Sequence, residues 1–101
     1  MNELEEFVYI NNLYDIYRAL FTDKQILIMD KYYKFNLSLS EIAEELEISR
    51  SAVLDTINHV KNKLIDYENK LNLYKKHNKI KEILDKNKIE EKIKEEIYKE
   101  L

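Results

Sequence analysis

The chain has 101 residues, 17 Lys and Arg against 20 Asp and Glu, a formal charge of −3 at pH 7, and no Gly, Pro, Cys or Trp. Length and charge bound it to one small domain with an extension and a modest core. The missing cysteines exclude disulfides and thiolate metal sites, and the missing glycines exclude phosphate-cradling loops and sheets built on tight turns. An all-α protein rich in Leu, Ile, Glu and Lys is the expectation. No apolar run reaches the length of a membrane span and the acidic start is unlike a signal peptide, so a cytoplasmic protein is expected.

In chain order, Leu4, Phe7, Val8, Leu13, Tyr14, Ile16, Tyr17, Leu20 and Phe21 recur at helical spacing and predict a helix from about Glu3 to Leu20. Thr22 with Gln25 is a capping box that opens a second helix to about Tyr33, with Ile26, Leu27, Met29 and Tyr33 as its apolar face. Lys34 to Leu37 is a short connection, and Ser38 with Glu41 is a second capping box.

The segment Leu37 to Leu64, LSLSEIAEELEISRSAVLDTINHVKNKL, then reads as a helix-turn-helix, placed at residues 38–64. Ile42, Ala43 and Leu46 form the inner face of its first helix, Ile48 fills the turn, and Val53, Ile57 and Val60 line the second. Ala43 suits a close helix crossing, and Ser49 is placed to cap the second helix. Glu47 falls where a left-handed residue is needed, at a cost of about 1 kcal/mol for a side chain other than glycine. Such motifs mostly read DNA, with the second helix in the major groove. The candidate contacts are Arg50, Ser51, Asn58 and His59 for bases, and Lys61 and Lys63 for phosphates. Charge argues against tight binding, because residues 38–66 hold six acids against Arg50, Lys61 and Lys63. Asp55 also has the wrong sign for the groove.

From Ile57 the spacing becomes that of a coiled coil: Ile57, Val60, Leu64, Tyr67, Leu71 and Tyr74 make an unbroken a/d seam. A helix break is expected near residues 76–79, and a homodimer through the seam competes with its docking against Phe7, Tyr14 and Tyr17. The chain thus divides into a helical domain over 1–76 and a charged helical extension over 77–101. Residues 69–88 carry a net +5, with seven Lys against Glu82 and Asp85, and residues 89–101 a net −2. Lys75, Lys76, Lys79 and Lys81, with Tyr74 and His77 available for stacking, make a candidate contact for RNA or an acidic protein. Lys outnumbers Arg fifteen to two, which reads partly as codon bias, and a solvated face is the plainer account. Ile89, Ile93, Ile97 and Leu101 lie four apart, a stripe too narrow to hold a helix in water alone.

Catalysis has little foothold. His59 and His77 are far apart with no nucleophile motif around them, and His59 with Asp55 would need two further ligands to hold a metal. No enzyme, cofactor or metal is expected.

The stretches NNLYDIYRALFTDKQ, the pair Tyr32–Tyr33, LSLSEIAEELEISRSAV and DYENKLNLYKK together resemble the YlxM family over about Asn11 to Lys76. The resemblance implies an all-helical fold similar to region four of sigma factors, with a long C-terminal helical extension. It also implies a gene neighbourhood shared with the signal recognition particle (SRP) GTPase, and from that a regulatory role in co-translational targeting, with the GTPase or its RNA as partner. Family members usually have basic residues where Asn58 and His59 stand here. Residues beyond about Ile80 lie outside the resemblance.

Overall fold

The first four helices each begin where a side chain accepts from a free amide. The computed structural model describes residues 1–101 and contains α1 (Glu3–Tyr17), α2 (Asp23–Met29), α3 (Leu39–Leu46), α4 (Arg50–Leu71), α5 (Leu73–Lys86) and α6 (Glu91–Tyr98). Asn2 caps α1 by accepting from the Glu5 amide at 2.8 Å, ahead of the acidic first turn Glu3, Glu5 and Glu6. Both capping boxes form: Gln25 N–H donates to Thr22 Oγ1 and Thr22 N–H to Gln25 Oε1, and Ser38 and Glu41 exchange the same pair of bonds.

Two helices end differently from the sequence reading. The first tightens into a 3₁₀ turn over Arg18–Leu20. The second widens into a π turn over Asp30–Lys34, and it buries Ile28, Met29 and Tyr33 while Leu27 faces outward. The inward face is set by Ile28 and Met29, which recur four residues on as Tyr32 and Tyr33. Leu27 lies about 100° off that line.

The helix-turn-helix is built as its spacing requires. Glu47 adopts φ 56° and ψ 42°, and the Ile48 and Glu47 amides return to the carbonyls of Ala43 and Glu44, closing α3 with a Schellman turn. Ser49 accepts from the Ala52 amide at 3.0 Å and starts α4. Ile42 and Ala43 pack against Val53 and Ile57, and α4 forms the axis on which α1, α2 and α3 all rest. Ala43 is buried at this crossing, so Ala43→Leu is expected to overpack it and cost about 1–3 kcal/mol, read as a lower thermal midpoint.

The break falls at Asn72, not at residues 76–79. Asn72 takes the left-handed conformation at φ 55°, which asparagine tolerates better than most residues, and its amide bonds the Glu68 carbonyl at 2.8 Å. The a/d seam is covered from within the chain. Leu64 is fully buried, Tyr67 meets Tyr17 and Phe21, and Tyr74 meets Tyr9 edge-on, leaving Leu71 at 46% exposure. α5 runs through residues 76 and 77, where the sequence placed a domain boundary, and α6 turns back along it. Tyr98 Oη donates to Asp85 at 2.8 Å, and Lys94 lies 3.7 Å from the same carboxylate. The molecule is elongated, 52 Å against 27 and 26 Å. No helix is long and apolar enough to cross a membrane.

Candidate nucleic-acid interface

The outer face of α4 is the surface that a helix-turn-helix offers to a groove. Arg50, Ser51, Leu54, Asp55, Asn58 and His59 are all exposed there. Arg50 lies in the first turn, fixed by the Ser49 cap, with no carboxylate within ion-pair distance. Lys63, on the flank of the helix, is likewise exposed and unpaired. Lys61 is placed elsewhere. It reaches across to α1 and pairs with Glu6 at 2.5 Å, and that ammonium holds the Glu6 carboxyl below its ordinary range. The Lys61 side chain is therefore neutralised on the α1 side, away from Ser51 and Asn58.

Acidic charge adjoins this face. Glu41, Glu44, Glu45 and Glu47 are exposed on α3 and its turn. Only Glu45 has a cation, Lys31 at 2.7 Å. Glu41 is held below its usual range by the amide and hydroxyl of Ser38, so it stays ionised. The potential at the motif is set by two free cations, Arg50 and Lys63, among several carboxylates.

Sequence reading missed Lys24. The start of α2 comes alongside α4, and Thr22, Lys24, Gln25, Asp55, Thr56 and His59 line one shallow groove. Nothing local to Lys24 signals this, because the neighbours arrive from more than thirty positions along the chain.

The four lysines of α5 do not gather into one patch. Lys75 and Lys79 share a groove with Tyr9, Asn69, Asn72 and Asn78. Lys81 turns the other way, 6.0 Å from the Tyr98 ring centre, and lines a second groove with His77 and Asn12. Lys76 points away from both grooves and makes no ion pair. Tyr74 is half-buried, its hydroxyl accepting from Asn12 at 3.2 Å, which leaves Tyr9 and the asparagines as the polar floor beside Lys75.

An all-helical chain with a Schellman-turned pair of helices, the second exposing its outer face, is a helix-turn-helix protein. The family model described as "Putative helix-turn-helix protein, YlxM / p13 like" matches residues 4–101, and the chain belongs to that family, UPF0122. The match extends beyond Ile80, so the α5–α6 hairpin is inside the family pattern and not outside it. The chain is 44% identical over 97 residues to UPF0122 protein YlxM of Bacillus subtilis, covering 89% of this chain and 88% of that one. It is 45% identical over 82 residues to a UPF0122 protein of Thermoanaerobacter sp. (strain X514), covering 81% of this chain and 70% of the relative. A UPF0122 protein of Streptococcus mutans is 43% identical over 83 residues, or 82% of this chain and 76% of its own.

Proposed function

We propose that this is a non-catalytic, cytoplasmic regulatory protein of the SRP pathway, whose helix-turn-helix makes weak, salt-sensitive contacts with duplex DNA. The observation that carries the DNA reading is the exposed outer face of α4, on which Arg50, Ser51, Asn58 and His59 stand together beside the free Lys63. Arg50 suits a guanine edge and Asn58 an adenine. Lys63 and Lys24 meet phosphates on either side, while Lys61 stays with Glu6. The link to targeting rests on the family resemblance, with the particle's GTPase or RNA as the partner class.

A second reading is favoured by the groove that holds Tyr9, Asn69, Asn72, Lys75 and Lys79. Amides, a ring and two cations on one surface, offset in part by Glu82 at 4.0 Å from Lys79, suit an unpaired RNA segment better than a duplex. In that version the helix-turn-helix is a scaffold. Pairing of two copies, which the coiled-coil spacing raised, belongs to either version but needs a surface other than the seam that α1 covers.

The test is a titration of labelled random duplex, of the particle's RNA and of its GTPase at several salt concentrations. Two phosphate contacts, Lys63 and Lys24, predict a slope of about −2 in log K against log salt, and Lys63→Ala should reduce it by about one. A shift with duplex alone supports the DNA reading. Binding only to the particle's components transfers the function to the second reading, and nanomolar affinity for a specific duplex at physiological salt would overturn the weak-binding proposal.

A further inference from the structure

The α5–α6 hairpin has an apolar face that nothing in the chain covers. Ile80, Ile83 and Ile93 are 37%, 49% and 45% exposed, on two helices joined to each other through Asp85, which Tyr98 and Lys94 approach. Two helices cannot bury a shared stripe between themselves, and helices of 14 and 8 residues are marginal in water without a partner. The charges bordering the stripe point to what covers it. On α5 the flanking residues are Lys76, one turn before Ile80, and Lys79, one turn before Ile83. On α6 they are Glu96, and just past the helix Glu100, each three residues beyond Ile93 and Ile97. Lys76, Glu96 and Glu100 make no ion pair within the chain, and Lys79 has only a 4.0 Å approach to Glu82.

A face that is basic along one helix and acidic along the other is complementary to itself under a two-fold rotation. In such an interface each α5 meets its partner's α6, so that lysines oppose glutamates on both sides. We infer that two copies of this chain pair through their α5–α6 hairpins into a four-helix bundle with the isoleucine stripe at its centre. The geometry is the ordinary one for antiparallel helical hairpins, which pack about 20° off parallel. This surface lies apart from the outer face of α4, so the inference stands whether or not the protein meets DNA, and it shares Lys79 with the groove that holds Tyr9.

Sedimentation of the full chain from low to high micromolar concentration tests it. A concentration-dependent dimer is expected. Ile83→Glu should weaken pairing roughly tenfold or more, since a central apolar contact is replaced by a charge. Because Ile83 is half exposed, that variant should keep the thermal midpoint of a dilute sample. Lys76→Glu with Lys79→Glu should also weaken pairing, and adding Glu96→Lys with Glu100→Lys should restore it. Amides of α5 and α6 should gain hydrogen-exchange protection as concentration rises. A monomer at every concentration, a dimer indifferent to Ile83→Glu, a charge exchange that fails to rescue, or protection independent of concentration would each overturn the inference.

Discussion

Glu68→Ala is expected to release the start of α5 and to lower stability by about 3 kcal/mol. Glu68 is the one buried charged residue, 6% exposed, and its carboxylate substitutes for the cap that α5 lacks. Its Oε1 accepts from the Tyr74 amide at 3.0 Å and its Oε2 from the Lys75 amide at 3.2 Å. The same Oε1 accepts from Tyr17 Oη at 2.8 Å, and that hydroxyl in turn accepts from the Leu73 amide at 3.3 Å. The Asn72 amide returns to the Glu68 carbonyl, so the four orphan amides of α5, from Asn72 to Lys75, are all satisfied. Burial, and after it the bond to Glu68, push the Tyr17 phenol above its ordinary range and keep it a donor.

Removing the carboxylate leaves a buried hydroxyl and two helix amides without their acceptor. At about 4–8 °C per kcal/mol for a domain of this size, the midpoint should fall by about 12–24 °C. Glu68→Gln keeps the volume and one acceptor and should fall between, and Tyr17→Phe should add less to Glu68→Ala than it costs alone. Hydrogen exchange at Leu73, Tyr74 and Lys75 locates the loss. An unchanged melting curve in Glu68→Ala would show that the junction is held by apolar docking alone.

This junction also marks the limit of what the sequence makes legible. The two capping boxes, the left-handed Glu47 and the Ser49 cap are all set within four residues, and each stands where spacing placed it. The Glu68 cap depends on Tyr17, 51 positions away, and no periodicity carries that information. The apolar seam through Leu64 and Tyr67 was visible as a seam, whereas its cover, α1, was one alternative among two. In the candidate site, the outward positions of α4 followed from helical geometry. The fate of the lysines did not, because Lys61 is neutralised by Glu6 and Lys24 reaches the groove from a different helix.

Asp30→Ala is expected to cost roughly 2 kcal/mol and to blunt the chain's loss of stability in acid. Asp30 opens the π turn and joins α2 to α1. Arg18 donates to it through Nη2 at 2.7 Å and Nε at 3.3 Å, and the fully buried Tyr14 donates at 2.7 Å. The Arg18 guanidinium is the main reason that the Asp30 carboxyl lies below its ordinary range, with burial opposing it and the Tyr14 hydroxyl assisting. A carboxyl depressed in the folded state contributes stability that is present above its unfolded value and disappears as pH falls through the folded value. The loss should therefore begin near the ordinary aspartate pKa of about 3.9 and continue below it. Glu6 and Glu41 are depressed too and act with the same sign, so the wild-type slope will not vanish in one variant. Asp30→Asn separates the parts, since it keeps an acceptor for Tyr14 and loses the pairing with Arg18. Melting curves recorded from neutral pH down to pH 3 should run at a constant gap for wild type and Asp30→Asn until about pH 4, and the gap should begin to narrow below that as Asp30 itself protonates. A gap that stays constant over the whole range would mean that shape, not ionisation, holds Asp30 in place.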